Sequence, residues 1–260
     1  MAGKPLEVWV SRLRIEPHLR TLTEVLLATE APWLVAIEGL GGIGKTALAH
    51  ELVLRLADQS RAFDDYGWVS AQPQTLQMGG TVQTVERPAL TAEGLIEALL
   101  TQLTAGTGEL APLDAGRALD ALATRLHRTP HLVVVDNLET VADVTALLPV
   151  LTRLANPSKF VLTSRLSFPE QPGIYHFGVP ELVEADALNL IRHEARLYNL
   201  PHVAAASDTD LHPLYATVGG NPLALRLVTG QLHLLTLAQA VENLRLAQGK
   251  KAEALYRYIY

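Results

Sequence analysis

Short apolar runs rich in β-branched residues alternate with longer amphipathic segments through the first two thirds of the chain. The apolar runs predict strands over residues 33–38, 66–70, 132–136, 160–164 and 175–179. Between them, apolar residues recur near the helical period and predict helices over 46–57, 91–104, 116–127 and 140–155. This alternation is typical of βαβ units, so we expect an α/β fold with a five-stranded parallel sheet and helices on both faces.

The strand pattern stops after Pro180. Helical patterns follow over 184–198, 208–218, 222–235 and 237–248, with Asp208 as a predicted cap and Pro222 in a first turn. The sequence therefore predicts a parallel α/β domain over residues 1–180 and a small all-α, four-helix domain over 181–260. Residues 72–90 contain two prolines and two glycines with little periodicity, which predicts a long surface loop.

Composition narrows the class of protein. Hydrophobic residues make up 48% of the 260, and no apolar run approaches the roughly 18 residues that a membrane-spanning helix requires. The net charge of -6 disfavours non-specific binding to nucleic acid or to an anionic membrane. Cysteine is absent, the nine histidines lack metal-ligand spacing, and the N-terminus lacks the pattern of a signal peptide, so a cytoplasmic location is expected.

The clearest chemical motif lies between the first predicted strand and the first predicted helix. Residues 39–46 read GLGGIGKT and match the spacing GxxxxGK[ST]. Glycines let backbone N–H groups converge on a phosphate, Lys45 adds charge at the β and γ phosphates, and Thr46 ligates magnesium. The motif alone is also compatible with a glycine-rich turn that carries a surface lysine and binds no phosphate. The predicted nucleotide contacts are Gly39, Gly41, Gly42, Ile43, Gly44, Lys45, Thr46 and Ala47.

An apolar strand that ends in an acid, at Asp136, follows downstream. After a phosphate loop, such an acid is expected to hold magnesium from its second side, although turn chemistry alone also explains an Asp there. The next residue is Asn137, which can orient a water molecule but cannot accept its proton. Glu139 is the nearest candidate base, and a first-turn helix acid is an equally good interpretation of it.

Arg165 follows the predicted strand over 160–164, at the edge where parallel sheets meet their ligands. An arginine there stabilises charge on a transferring phosphoryl group and distinguishes a triphosphate from a diphosphate. A solvated arginine after a strand is the alternative. With Lys45, Asp136 and Glu139, Arg165 completes the predicted catalytic set.

Five motifs in this order resemble a known family. They are GLGGIGKTALA from residue 39, FDDYGWVS at 63–70, VVVDNLE at 133–139, FVLTSR at 160–165 and GGNPLAL at 219–225. Together they resemble the NB-ARC module of STAND signalling ATPases, and the VVVDNLE form resembles bacterial members most. The resemblance implies a P-loop NTPase fold followed by a helical domain, with ATP or ADP and Mg²⁺ between them.

The resemblance also implies roles for individual residues. Lys45 and Thr46 match the Walker A phosphate and magnesium residues, Asp136 the Walker B acid, and Arg165 the sensor arginine. In the GGNPLAL motif, the proline that packs on the base corresponds to Pro222, with Leu223 beside it. The N-terminal segment 1–30 corresponds to one that wraps the nucleotide, with base contacts at Val10 and Arg12.

Three positions depart from the family pattern. Ser11 and Leu13 replace a usual glycine and glutamate, and Asn221 replaces a leucine before the proline. The chain ends about where a winged-helix domain would begin, so we expect a fragment of a longer signalling protein with sensor-repeat and effector domains.

Two function classes remain open at this stage. One is a slow, magnesium-dependent ATPase switch that is active with ATP, resting with ADP and able to form homo-oligomers on activation. The other is a non-hydrolytic module in which the nucleotide is a structural cofactor. A GTPase or a small-molecule kinase is a distant third, since guanine-specific motifs such as NKxD do not occur. Membrane contact and direct nucleic-acid binding by this segment are not expected.

Overall fold

The computed structural model describes residues 15–71, 74–76, 82–84, 91–103, 114–138, 144–165 and 173–246. Its elements, in chain order, are α1 (Glu16–Leu27), β1 (Leu34–Glu38), α2 (Lys45–Gln59), β2 (Asp65–Ser70), β3 (Gln74–Leu76), β4 (Val82–Thr84), α3 (Ala92–Leu103), α4 (Ala115–Arg128), β5 (His131–Asp136), α5 (Val144–Leu154), β6 (Lys159–Ser164), β7 (Ile174–Gly178), α6 (Glu184–Leu197), α7 (Pro201–Ala204), α8 (Asp208–Val218), α9 (Pro222–Gln231) and α10 (Leu237–Leu246).

Five parallel strands form the larger sheet, in the order β2-β5-β6-β1-β7. The three inner strands are buried along their whole length, since helices cover both faces of the sheet. Every strand of this sheet lies within one residue of its predicted bounds, and the predicted α/β fold with a five-stranded parallel sheet is confirmed. Because the strands run in parallel, the carboxyl ends of β1, β5 and β6 meet at one edge.

The two faces of the sheet carry separate apolar cores. On one face, Val35 and Ile37 of β1 pack with leucines of α1 and α2. On the other face, Leu34 and Ala36 of the same strand pack in a core shared with α3, α4 and α5. The period-2 alternation of β1 therefore fixes which side chains face which helical layer.

Helix α1 is an element that the sequence analysis missed, because it assigned residues 1–30 as a whole to a nucleotide-wrapping segment. Leu19, Leu22 and Leu26 recur at helical spacing and are fully buried against α2 and the sheet. Pro17 lies in its first turn, where the missing N–H costs no intrahelical hydrogen bond.

The prediction of a loop without secondary structure over 72–90 is wrong for six residues. Strands β3 and β4 pair antiparallel, with Gln74 opposite Thr84 and Leu76 opposite Val82. Strands of three residues are too short to show the period-2 alternation on which strand prediction depends. The other residues of 72–90 lie outside the described part of the chain.

After β7, the described chain is helical. Helices α6 to α10 enclose a core of their own that includes Leu188, Ile191, Leu211 and Leu225. The short helix α7 was not predicted, and α8 is capped by Ser207 rather than Asp208. Ser207 Oγ accepts a hydrogen bond from Asp210 N at 3.2 Å, while the Asp210 carboxylate accepts one from Ser207 N, which forms a capping box.

Among the described residues, no helix combines the length and apolar character that crossing a membrane demands. The division into domains at residue 180 remains a prediction.

Candidate nucleotide-binding site

The loop over residues 39–44 joins the buried strand β1 to the helix α2 and contains three glycines with positive φ. These angles are +149° at Gly39, +73° at Gly42 and +107° at Gly44, a region that side chains of L-residues rarely occupy. Gly42 is also required by space, since a Cβ there would lie 2.4 Å from Leu223 Cβ. At Gly44 a Cβ would meet no atom within 4 Å, so only the backbone conformation demands glycine.

Helix α2 begins directly after this loop, at Lys45. Its N-cap residue, Gly44, has no side chain to cap the helix, and the first turn holds no acidic residue. The positive end of the helix dipole and the first-turn N–H groups are therefore not neutralised by a local side chain. A helix start of this kind favours a bound anion.

Lys45 is 7% exposed, and its ammonium lies against the loop that precedes it. Nζ donates hydrogen bonds to Gly39 O at 2.8 Å and to Leu40 O at 3.0 Å. The cation is thus held at the loop and next to the start of α2. Two positive centres, the ammonium and the helix terminus, lie side by side there.

Thr46 and Asp136, the two predicted magnesium ligands, are in direct contact although they are 90 residues apart in sequence. Thr46 Oγ1 donates to Asp136 Oδ1 at 2.8 Å. Thr46 is exposed, whereas Asp136 is 4% exposed at the end of β5. A hydroxyl and one carboxylate beside a phosphate loop are the oxygen donors that Mg²⁺ uses when phosphates supply further ligands, so this donor set fits the metal.

Thr163 is a site residue that the sequence analysis missed. Its Oγ1 donates to Asp136 Oδ1 at 2.6 Å and accepts a hydrogen bond from Asn137 N at 2.8 Å. Because Thr163 is fully buried on β6, the strand between β1 and β5, it fixes both the carboxylate and the turn that follows it. A polar residue directly after the apolar run of residues 160–162, near the carboxyl end of the strand, is the sequence pattern that points to it.

Arg165 directly follows β6 and is half-buried at the edge where β1 and β5 also end. The register of the sheet places its neighbour Ser164 opposite Glu38, the residue before the phosphate loop. Glu38 is buried, and its Oε1 lies 3.0 Å from His176 Nδ1 on β7. Arg165 thus lies at the predicted edge of the sheet, beside the strand that leads into the loop.

The start of α9 contacts the phosphate loop beside Pro222 and Leu223, two residues whose predicted contacts with the nucleotide stay predictions. Leu223 N donates to Gly42 O at 3.3 Å, and Asn221 Nδ2 donates to Gly41 O at 2.9 Å. Pro222 is in the first turn of α9, next to these two contacts. The structure therefore brings residues 39–46 and 221–223 together at one place.

Ile43 is buried within the phosphate loop, and Ala47 is half-buried in the first turn of α2. Val10, Arg12 and Glu139 lie outside the described residues, and their predicted roles stay predictions. Among the described residues, no group of three or more His, Cys, Asp or Glu side chains is placed to hold a metal ion.

Comparison with solved structures finds similar folds at low sequence identity. A Walker-type ATPase of Pyrococcus abyssi matches with a TM-score of 0.57 and 16% identity, over 94% of this chain and 75% of that one. A chain of the Drosophila ORC structure bound to DNA matches with a TM-score of 0.61 and 20% identity, over 98% and 71%. A STAND protein of Pyrococcus horikoshii with a tetratricopeptide repeat sensor matches with a TM-score of 0.50 and 15% identity, over 90% and 32%.

A search of curated proteins finds no match to this chain. The model of the NB-ARC domain family, in contrast, matches residues 15–192, which is more than half of the chain. The matched residues include the phosphate loop, Thr46, Asp136 and Arg165, whose geometry is that of a nucleotide-binding P-loop module. The chain belongs to the NB-ARC family.

Proposed function

We propose that this chain is the ATP/ADP-binding switch module of a STAND-type signalling ATPase, and that slow, magnesium-dependent hydrolysis of ATP resets the switch. The observation that carries the proposal is the contact between Thr46 and Asp136 directly beside the phosphate loop. This contact supports the proposal because both candidate magnesium ligands are neighbours of the lysine and the helix terminus that favour phosphate.

Phosphate binding follows from three features of the loop. The glycine conformations allow close approach of the backbone, the start of α2 is uncapped by any side chain, and Lys45 is already held at the loop. Each feature favours negative charge at the same place. We infer that the β and γ phosphates of a nucleotide lie there.

Thr46 and Asp136 would hold Mg²⁺, with Thr163 fixing the carboxylate. When bound, the metal would neutralise charge on the phosphates and help orient them for transfer. Arg165, at the same edge, would approach the terminal phosphate. Asn137 can orient an attacking water but cannot take its proton, which favours slow hydrolysis, with Glu139 as the proposed base.

The alternative is a module that binds the nucleotide without hydrolysing it. The observation that favours this alternative is the pair of hydrogen bonds from Asn221 and Leu223 to the phosphate loop. A nucleotide at that place would hold the helical region and the sheet together as a structural cofactor. Asn137, where a second acid would speed hydrolysis, is compatible with it as well.

The two proposals are tested first by identifying any nucleotide that copurifies with the protein, by chromatography after denaturation. Titrations of ATP and ADP with and without Mg²⁺ follow, on the parent and on Asp136→Ala. The parent is expected to bind ATP more tightly with Mg²⁺, and the variant is expected to keep only the magnesium-independent part. If Mg²⁺ raised the affinity for ATP by the same factor in both proteins, Asp136 would be only a turn residue.

Single-turnover conversion of ATP to ADP separates the switch from the scaffold. A slow conversion that disappears in Asp136→Ala supports the ATPase, because the acid acts on the chemical step through the metal. Tight ATP binding with no conversion supports the scaffold and rejects hydrolysis by this module.

We further propose that residues 1–180 and 181–260 act as separate domains, and that the whole protein adds winged-helix, sensor-repeat and effector domains. ATP and ADP can change the arrangement of such domains only by interacting differently with each arrangement. Formation of homo-oligomers with ATP and a cytoplasmic location belong to the same proposal. Size-exclusion chromatography with ATP or ADP tests the first of these two.

A further inference from the structure

Asn221 is a buried amide, 1% exposed, that makes two kinds of hydrogen bond at once. Its Oδ1 accepts from Leu223 N at 3.1 Å and from Ala224 N at 3.2 Å, which caps the start of α9. Its Nδ2 donates to Gly41 O in the phosphate loop at 2.9 Å. Since the oxygen must face the two N–H donors, the NH₂ group must face the carbonyl, and the orientation of the amide is fixed.

The turn that carries Asn221 is itself held in place. Gly220 N donates to Glu181 Oε2 at 3.1 Å, and Leu182 N donates to Gly220 O at 3.0 Å. A Cβ on Gly220 would lie 2.1 Å from Leu182 O, so the two backbone segments are in close contact. Asn221 is therefore anchored on the side of the helical region and reaches from there to the loop.

On the loop side, the contact acts on the backbone that would face a phosphate. The carbonyl of Gly41 and the N–H of Gly42 belong to one planar peptide unit and point in opposite directions. Holding the Gly41 oxygen toward Asn221 thus fixes the direction of the Gly42 N–H. The next peptide unit is held as well, because Leu223 N donates to Gly42 O at 3.3 Å.

We propose that Asn221 is a positioning residue that couples the phosphate loop to the helical region, so that α9 sets the orientation of the loop amides. The inference rests on the proposed nucleotide binding by that loop. Separation of the helical region from the loop would release the Gly41 carbonyl and weaken the diphosphate site in the same event. The coupling thus gives the helical region control over the phosphates, apart from any contact with the base.

The relative strengths of helix caps provide a sharp test. Asn, Asp and Ser are about equally good N-caps, so Asn221→Asp and Asn221→Ser both keep the start of α9. Neither can donate to Gly41 O as the amide does: Asp presents a carboxylate at neutral pH and Ser is too short. Asp is the more damaging, because it places an acceptor against an acceptor.

We expect the dissociation constant for ADP to rise about tenfold or more in Asn221→Asp and by a smaller factor in Asn221→Ser. The dissociation constant for AMP, which lacks the β phosphate, should change much less, so the preference for ADP over AMP falls. The measurement is equilibrium titration of both nucleotides. Thermal melting followed by circular dichroism checks that each variant folds.

Ser207→Ala is the matched control, because Ser207 caps α8 in the same helical region and its cap hydrogen bonds are made within that region. It should lower the melting temperature without changing the preference for ADP over AMP. If Asn221→Asp fails to fold, the titration of Asn221→Ser decides alone.

The outcomes separate the inference from the proposed function. A parent protein that does not bind ADP contradicts nucleotide binding itself. If the parent binds ADP and the folded Asn221 variants keep its preference for ADP over AMP, Asn221 is only a helix cap and the coupling is rejected.

Discussion

Two lysines are buried at opposite ends of the strands of the same sheet, one at the carboxyl ends and one at the amino ends, and their hydrogen-bond partners differ. Lys45, at the carboxyl edge, donates to two carbonyls of a loop and begins α2. Lys159, at the amino end of β6, is 2% exposed. It donates to Val25 O, Ala28 O and Glu30 O at 3.0, 2.6 and 3.4 Å, where α1 ends, and lies 5.2 Å from the centre of the Trp33 ring.

The helix terminus next to each lysine explains the difference. A cation at the C-terminus of a helix is stabilised by the carbonyls and by the negative end of the dipole. The positive charge of Lys159 is therefore balanced within the protein itself. A cation at the N-terminus adds positive charge to positive charge, which an anion can offset. Burial of a lysine is therefore not by itself a sign of function. A buried lysine beside a helix N-terminus indicates an anion site, whereas one beside a helix C-terminus indicates a structural role.

The largest expected effect is on nucleotide binding by Lys45→Met. The substitution removes charge-assisted contacts to phosphates, worth about 3 kcal/mol in total, so affinity for ADP and ATP should fall about 100-fold. The melting temperature without nucleotide should fall less than in Lys159→Met, because the loss of two hydrogen bonds to carbonyls is offset by removal of a cation from the positive end of α2. Calorimetric titration and thermal melting measure the two quantities. Unchanged affinity would overturn the assignment of the phosphate loop.

Lys159→Met, the same substitution at the other edge, should have the opposite profile. Three carbonyls lose their donor, and we expect the free energy of unfolding to fall by about 2 kcal/mol. Affinity for ADP should remain that of the parent in the folded variant. Urea denaturation gives the first quantity and titration the second. A loss of ADP affinity equal to that of Lys45→Met would mean that the two lysines do not differ in role.

Arg165 adds a third cation, placed at the carboxyl edge on the chain segment that begins with Lys159. Arg165→Ala should weaken the binding of ATP more than the binding of ADP, since only ATP has a γ phosphate at this edge. One charge-assisted hydrogen bond predicts a change of about tenfold in the ratio of the two affinities. Titration of both nucleotides against parent and variant measures it. An unchanged ratio would leave Arg165 as a structural or solvated residue.

The smallest expected effect is a pH dependence at the structural lysine. Burial lowers the pKa of Lys159, so over the range between its folded pKa and the usual value the unfolded chain binds more protons than the folded one. The stability of the parent relative to Lys159→Met should therefore increase as the pH rises through the lowered pKa. Urea denaturation of both proteins from pH 7 to pH 10 measures the difference. A difference that decreased over this range would contradict the sign.

The sequence was sufficient to predict the sheet and the residues at its carboxyl edge. Buried parallel strands are continuous apolar runs, and the glycine motif has a spacing that few other structures require. These local patterns located all five strands of the larger sheet within one residue and led to Thr46 and Asp136, which the structure brings into contact.

The features that were missed depend on contacts between distant residues. Thr163 acts through Asp136, 27 positions away, and Asn221 through Gly41, 180 positions away. Neither distance is visible in a local pattern, and Asn221 read alone is only a good helix cap. Helix α1 was missed for a different reason: its leucines lie within residues 1–30, the segment for which the family resemblance implies wrapping of the nucleotide.

The strand order has a consequence for how the chain folds as it is synthesised. Strand β1, which ends at the phosphate loop, pairs with β6 and β7, so its partners are more than 100 residues later in the chain. A growing chain holds β1 without a partner until β6 is complete at Ser164, and closing so long a loop costs entropy and slows folding. The phosphate loop is therefore made more than 100 residues before β6, and it takes its final shape only after that strand has been made.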